Sequence, residues 1–124
     1  SDNFETRFLI NDYCLKNKKI LVSGAISKFD GQVYTFNFLH KESPCLRCFI
    51  PEMPIDSDSN NCEYEGVIGT LAGIIGSIMA NEVIKEILKI GDTLLGYVLI
   101  IDSLTVNYRK VRLNKRSDCL CHEK

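Results

Sequence analysis

GVIGTLAGIIGSIMANEVIKEILKIG, residues 66–91, decides the fold of this chain, because its apolar spacing predicts one long helix. Residues 66–80 carry no charge, and apolar side chains there cover most of the helix circumference. The first half is therefore predicted to be buried on nearly all sides. The second half is amphipathic, with Lys85 and Lys89 complementing the helix dipole and Gly91 placed to take the left-handed conformation that ends helices.

Small residues recur along the same helix. Glycine is unfavourable inside a helix by about 1 kcal/mol relative to alanine, so their number predicts close packing against a sheet or a second helix. They are Gly69, Gly73, Gly76, Ser77 and Ala80. A membrane-spanning reading is disfavoured, because the uncharged run is shorter than the ~20 residues that cross a bilayer. The stretch is interpreted as a buried helix of a soluble protein, with no membrane partner.

Composition narrows the class of protein. The 124 residues suit one domain, and 45% hydrophobic with 25% charged residues is typical of a globular protein. The net charge of −1 offers no general attraction to nucleic acid or to an anionic membrane. Six cysteines without an apolar signal segment indicate a reducing compartment, and we expect a cytoplasmic protein. In that setting, cysteine pairs indicate metal binding or catalysis more often than disulfides.

The remaining sequence predicts elements that pack on the long helix. An N-terminal helix is capped by Ser1, Asp2 or Asn3 and ended by Asn17, and a hairpin turns at Asp30-Gly31. A proline-bearing polar loop separates the hairpin from the long helix, and two strands follow that helix. The predicted fold is α/β, with a mixed or antiparallel sheet on one long buried helix. The predicted bounds are 4–16 for the first helix, 19–38 for the hairpin, 39–65 for the loop, and 97–101 and 105–113 for the strands.

Two close cysteine pairs come from distant segments, Cys45-x-x-Cys48 and Cys119-x-Cys121. Zinc takes four thiolate or imidazole ligands in a tetrahedron, so these pairs predict a zinc site that clips the loop to the C-terminal tail. Cys121 and His122 compete for the fourth position, and the softer thiolate favours Cys121. The alternatives are free surface thiols or a redox dithiol, but a redox C-x-x-C usually opens a helix in a thioredoxin-like context.

Cys62 stands apart from these pairs, just before the long helix. A helix N-terminus lowers a thiol pKa and favours the nucleophilic thiolate, although Glu63 and Glu65 oppose this effect. Two readings stay open for Cys62: a partly exposed cysteine at a helix entry, and a nucleophile carried on a flexible loop.

Several motifs in order resemble one family over essentially the whole chain. DNFETRFLIND, VSGAISKFDGQVYTF, PCLRC, CEYEGVIG and GIIGSIMANEVIK are similar to the C-terminal half of ubiquitin-activating-enzyme-like adenylyltransferases, and closest to MoeB/ThiF-type proteins of molybdopterin and thiamine biosynthesis. The resemblance implies an α/β, Rossmann-type fold and a homodimer. It also implies an enzyme that uses ATP and magnesium to adenylate the C-terminal glycine of a ubiquitin-fold sulfur carrier protein.

The same resemblance implies roles for individual residues. Asp2 and Asn3 match the family's D-N motif, whose aspartate contacts magnesium and assists adenylation. Cys45 and Cys48 match the first zinc pair, and Cys119 with Cys121 the second, although an ungapped alignment places His122 where the family has cysteine. Cys62 matches a loop cysteine that takes part in sulfur transfer in some members.

One departure limits the expected activity. The family's glycine-rich nucleotide loop and phosphate-binding basic residues precede the D-N motif, and the sequence contains neither a G-x-G-x-x-G nor a P-loop. Residues 1–124 are therefore expected to be the C-terminal half of an adenylyltransferase domain that is inactive alone, in a fragment or a split gene. The alternatives are a non-enzymatic, zinc-stabilised dimerisation or adaptor module and, more weakly, a thiol redox protein.

Overall fold

The computed structural model describes residues 3–50 and 66–119. Three helices and four strands occur in these ranges. In chain order they are α1 (Phe4–Lys16), β1 (Ile20–Ile26), β2 (Asp30–Asn37), α2 (Leu46–Phe49), α3 (Gly69–Leu88), β3 (Tyr97–Asp102) and β4 (Asn107–Arg112). The predicted first helix, hairpin, long helix and two final strands are all confirmed. The N-cap of α1 is Asn3, whose side chain accepts a hydrogen bond from the Thr6 N–H at 2.7 Å, and the C-cap is Asn17.

The strands form one antiparallel sheet in the order β1-β2-β3-β4. β2 lies inside the sheet, and its residues are buried on both faces from Val33 onward. One face holds the aromatic residues Tyr34, Phe36 and Phe38, which pack with Phe8 of α1. The α/β fold class with an antiparallel sheet packed on a long helix is thus confirmed.

The hairpin turn differs from its prediction. Asp30 and Gly31 are the first residues of β2, with Gly31 opposite Ile26, so the chain reverses before them. The Ser27 N–H donates to the Asp30 carbonyl at 2.9 Å and closes the turn. Gly31 is required by packing, since a Cβ there would lie 2.5 Å from Cδ1 of Ile75 on α3.

The long helix is confirmed, but the predicted burial of its first half on nearly all sides is wrong for the described residues. Leu71, Ile75 and Glu82 are its buried residues, and this stripe packs on the sheet face that carries Val33 and Ile101. Within the described ranges only this one layer covers α3, so the opposite face is open. The predicted close packing at small residues is absent there too, because a Cβ at Gly69, Gly73 or Gly76 would meet no atom within 4 Å.

The end of α3 also differs in detail. Lys89, with φ 56°, takes the left-handed C-cap conformation, and Gly91 has a positive φ of 66° two residues later. Across residues 3–50 and 66–119, no helix combines the length and the apolar character that crossing a membrane requires.

Candidate metal centre

The first cysteine pair lies in a tight turn, residues 45–48, which we call the cysteine turn. Pro44 precedes it, and Cys45 is the extended N-cap of the short helix α2. The Cys48 N–H donates to the Cys45 carbonyl at 3.0 Å, which brings both side chains to the same side of the turn. Cys45 is fully buried, and Cys48 is 9% exposed. Neither is therefore a free surface thiol.

The segment after β4 returns to this turn. The Leu113 N–H donates to the Gly96 carbonyl at 2.7 Å, and the Lys115 ammonium donates to the Lys41 carbonyl at 2.7 Å. The Cys119 N–H then donates to the Arg116 carbonyl at 3.2 Å, forming a second tight turn that presents a buried Cys119. Cys45, Cys48 and Cys119, three of the four cysteines predicted to clip the loop to the tail, therefore lie together.

The three sulfur atoms have the spacing of a metal site. The Sγ of Cys45 lies 3.9 Å from that of Cys48 and 3.7 Å from that of Cys119, and all three lie within 4.8 Å of one another. A Zn–S bond is about 2.3 Å long, so adjacent sulfurs of a tetrahedral zinc site are about 3.8 Å apart. The donor set and its spacing fit zinc, with one tetrahedral position left for a fourth ligand.

The protein surroundings favour a thiolate at Cys48 and a protonated thiol at Cys45. The pKa of Cys48 is lowered, chiefly because the Cys45 thiol donates a hydrogen bond to the Cys48 sulfur. Burial opposes this shift, whereas the Arg116 N–H, 3.4 Å from the Cys48 sulfur, lowers the pKa further. The pKa of Cys45 is raised, because this thiol holds the proton shared with Cys48 and is itself desolvated. A thiolate at Cys48 is the form that binds metal.

Helix α1 holds the cysteine turn in place. Asn11 is fully buried, and its side-chain carbonyl accepts the Leu46 N–H at 2.8 Å. The Asp12 carboxylate forms two hydrogen bonds with the Arg47 guanidinium, at 2.9 and 2.8 Å. That guanidinium also lies 4.6 Å from the centroid of the Phe8 ring. Asn11 of α1 therefore contacts the backbone of the cysteine turn, and Asp12 and Phe8 on the same helix face contact the Arg47 side chain.

These supporting residues were not predicted from the sequence. Asn11 follows Phe8 by three positions, so a polar residue shares a helix face with a large aromatic residue. A buried polar group needs a hydrogen-bond partner, so this placement was the available signal. The partner itself depends on how α1 is rotated against the cysteine turn, which spacing does not reveal.

The other predicted site residues are Asp2, Asn3, Cys62, Cys121 and His122. Asp2, Cys62, Cys121 and His122 lie outside the described residues, and the structure does not choose between Cys121 and His122. Asn3 is described, and its side chain caps α1.

Two clefts occur elsewhere in the described part of the chain, and neither is lined by a cysteine. One, of about 150 Å³, lies between α1, β1 and α3 and is lined by Arg7, Ser23, Tyr34 and Met79 among others. The Arg7 guanidinium donates to the Tyr34 hydroxyl and lies 5.0 Å from the centroid of the Phe4 ring. The other, of about 380 Å³, lies at the ends of β2, β3 and β4 and is lined by Asp30, Asp102 and Arg109 among others.

Comparison with solved structures shows the fold. The crystal structure of E. coli MccB with AMPCPP and MccA matches 95% of this chain and 36% of that chain, with a TM-score of 0.76 at 15% identity. MccB in complex with N-formylated MccA matches with a TM-score of 0.77 at 14% identity, over 96% of this chain and 38% of that one.

Comparison with curated proteins is closer in sequence. The sulfur carrier protein adenylyltransferase of Thermus thermophilus is 43% identical over 122 residues, covering 96% of this chain and 45% of the relative. The adenylyltransferase and sulfurtransferase MOCS3 of Drosophila grimshawi is 42% identical over 120 residues, covering 96% of this chain and 26% of the relative. The chain thus spans less than half the length of these curated relatives. A family model described as the ThiF family matches residues 1–121, and the chain belongs to this family.

Proposed function

We propose that this chain is a portion of an ATP-dependent adenylyltransferase that activates the C-terminal glycine of a ubiquitin-fold sulfur carrier protein. In that reaction a carboxylate oxygen of the glycine bonds to the α-phosphorus of ATP, and pyrophosphate leaves. The support is the 43% identity over 96% of this chain to a sulfur carrier protein adenylyltransferase. The relatives' names point to sulfur delivery. Molybdopterin or thiamine biosynthesis is the proposed pathway.

The metal assigned to the cysteine cluster is a structural zinc ion, held by Cys45, Cys48, Cys119 and Cys121. The observation that carries this assignment is the convergence of three buried thiols, 74 residues apart in sequence at the widest, to within 4.8 Å. A site with four thiolate ligands is closed and has no open position for substrate. Zinc there would fix the C-terminal tail on the cysteine turn and would not enter the chemistry.

Binding of magnesium and nucleotide is assigned to the residues before α1. Asp2 is the proposed magnesium ligand and Asn3 its neighbour in the D-N motif. Phosphoryl-type chemistry also needs cationic groups and N–H donors on the phosphates, and the sequence has no glycine-rich loop to supply them. Residues outside this chain are proposed to provide them, which makes residues 1–124 the C-terminal half of the domain.

Cys62 is the proposed acceptor of the activated carrier. Its thiolate would attack the glycyl carbonyl of the adenylate, form a thioester and release AMP. In such a scheme Cys62 serves sulfur transfer, whereas adenylation proceeds without it.

A homodimer is proposed for the assembly, and the open face of α3 is consistent with it. Ile84, Ile87 and Leu88 are 50%, 72% and 59% exposed. Apolar side chains clustered on one face favour a covering partner. The same face is what a non-enzymatic adaptor module would use, so the activity test must separate the two functions.

The test uses the longer protein that contains this chain, with ubiquitin-fold carriers that end in glycine. The expected result is ATP–pyrophosphate exchange that depends on the carrier and is lost when its terminal glycine is deleted. The Cys62→Ala variant should retain this exchange and lose only sulfur transfer. Zinc-loaded, folded protein that shows no exchange with any such carrier would favour the adaptor function instead.

A further inference from the structure

We infer that Asn11 is a positioning residue for the metal site, acting as an external N-cap for the cysteine turn. The first N–H groups of any helix have no partner within the helix and need one from elsewhere. In most helices the N-cap side chain supplies it through an oxygen atom. The N-cap of α2 is Cys45, whose side chain makes no capping hydrogen bond.

Cys45 does not supply the acceptor for the Leu46 N–H. Its sulfur lies 3.9 Å from that of Cys48 and 3.7 Å from that of Cys119, within the metal cluster. The Leu46 N–H instead reaches the side-chain oxygen of Asn11 at 2.8 Å. Leu46 is 2% exposed, so water does not replace this acceptor readily. An unpaired N–H at this point would favour opening of the turn.

The remaining contacts orient the Asn11 amide. Its nitrogen donates to the Asp12 carboxylate at 3.2 Å, which fixes the oxygen towards Leu46. Arg47, from the middle of the cysteine turn, pairs with the same carboxylate at 2.8 Å. Asn11 and Asp12 therefore hold adjacent residues of the turn, and metal binding is coupled to the placement of α1.

The test compares Asn11→Leu, Asn11→Asp and Asn17→Ala in the purified, zinc-loaded protein. Leucine has a similar volume but no acceptor, whereas aspartate keeps an oxygen for the Leu46 N–H. Asn17 is a control on the same helix, since its side chain donates to the Tyr13 carbonyl at 2.9 Å, at the end away from α2. Zinc affinity is measured by equilibrium competition with a chromophoric chelator. The thiolate-to-metal absorption of the Co²⁺-substituted protein reports the geometry of the site.

Loss of a group that orients metal ligands typically weakens metal affinity by about 10–100-fold, and this is the expected effect of Asn11→Leu. The Co²⁺ spectrum should change with it. Asn11→Asp keeps the acceptor but places a second carboxylate beside Asp12, so it should bind zinc more tightly than Asn11→Leu but less tightly than the unaltered protein. Asn17→Ala should bind zinc like the unaltered protein. Unaltered affinity in Asn11→Leu, or an equal loss in Asn17→Ala, would overturn the inference. If Asn11→Leu does not fold, hydrogen exchange in the unaltered protein decides: slow exchange of the Leu46 amide supports the role, and fast exchange refutes it.

This inference rests on the proposed metal site, and its failure is distinguishable from failure of that site. An unaltered protein that binds no zinc refutes both. Unaltered protein that binds zinc as tightly as Asn11→Leu refutes only the positioning role.

Discussion

At the scale of single residues, the thiols of the cysteine cluster should be needed for zinc binding and stability, whereas a thiol outside the cluster should not. Cys45→Ala or Cys48→Ala removes one ligand from the proposed site, and the bound zinc should fall from one ion per chain to near zero. Structural zinc contributes its binding energy to folding, so a loss of several kcal/mol is expected, which lowers Tm by more than about 10 °C. Metal analysis and thermal unfolding measure the two effects. Cys14→Ala is the matched control, because Cys14 is a half-buried thiol outside the cluster, and it should retain the zinc.

Thiol reactivity gives a second prediction at this scale. Burial raises the pKa of Cys14, and Lys19 lowers it by a smaller amount. A raised pKa leaves less thiolate at neutral pH, so Cys14 should alkylate more slowly than a free cysteine peptide, and its rate should go on rising with pH after that of the peptide levels off.

Cys62, if it is the proposed nucleophile, should alkylate faster than Cys14 in the zinc-loaded protein. Mass spectrometric mapping after brief alkylation tests this, and equal rates for the two thiols would remove the case for a nucleophilic Cys62.

At the residue scale, the sequence predicted the thiols that come together better than the residues that support them. Two close cysteine pairs in distant segments indicate a metal site, and the structure brings Cys45, Cys48 and Cys119 together. The role of Asn11 was not predicted, because it depends on which backbone N–H lies opposite α1 after folding. Asp30-Gly31 was misplaced for a related reason: the glycine is required by the close approach of Ile75, a contact between elements distant in sequence.

At the scale of elements, the contact of α3 with β2 depends on Gly31. A Cβ there would lie 2.5 and 2.8 Å from two carbons of Ile75, which is 2% exposed and has little room to move. Gly31→Ala should therefore destabilise the protein by about 1–3 kcal/mol, the usual effect of overpacking a core. Gly73→Ala is the comparison on the other face of α3, where a Cβ meets no described atom within 4 Å. It should stabilise residues 1–124 by about 0.5–1 kcal/mol, from the higher helix propensity of alanine. Urea unfolding of both variants measures the difference, and a stable Gly31→Ala variant would contradict the packing.

The connection from α3 to β3 is held by a buried carboxylate. Glu82 is 3% exposed, accepts the Leu94 N–H at 2.6 Å, and forms an ion pair with Lys85, which in turn donates to the Asp92 carbonyl at 2.7 Å. Glu82→Ala would leave the buried Leu94 N–H without its acceptor and should cost about 1–3 kcal/mol in urea unfolding. Glu82→Gln keeps an acceptor oxygen and should cost less. Glu86→Ala is the control, since Glu86 contacts Asn37 only at the 3.5 Å limit of a hydrogen bond. A Glu86→Ala effect as large as that of Glu82→Ala would point to general helix destabilisation.

The helical conformation of α3 was predicted correctly, but the burial of its first half was not, because the two depend on different features. Helical periodicity from Leu71 to Leu88 reports the local conformation, and it held within a turn at each end. Burial depends on how many layers pack on the helix, and the same apolar residues suit one covering layer or two. Leu71 and Ile75 face the sheet, whereas Ile84 and Ile87 face outward in the described part of the chain.

At the scale of the whole molecule, the lack of a glycine-rich phosphate-binding loop in the sequence predicts that residues 1–124 do not bind ATP on their own. ATP carries several negative charges that need backbone N–H donors, cationic side chains or a metal ion held in place. The chain has a net charge of −1, and its sequence has no glycine-rich loop, so Asp2 with magnesium would be left to bind the triphosphate unaided.

The last prediction is that residues 1–124 alone bind neither ATP nor magnesium-ATP, although they fold and hold zinc. Isothermal titration calorimetry on the zinc-loaded chain should show no heat of binding, while the longer protein that contains it should bind. Asp2→Asn in that longer protein should raise the magnesium concentration that pyrophosphate exchange requires. It should not release zinc, because the two sites lie on different residues. The zinc measurement on the same samples shows that a negative titration is not caused by unfolding. Clear ATP binding to the 124 residues would mean that the phosphate-binding groups are within this chain. The proposal that residues outside this chain bind the phosphates would then be wrong.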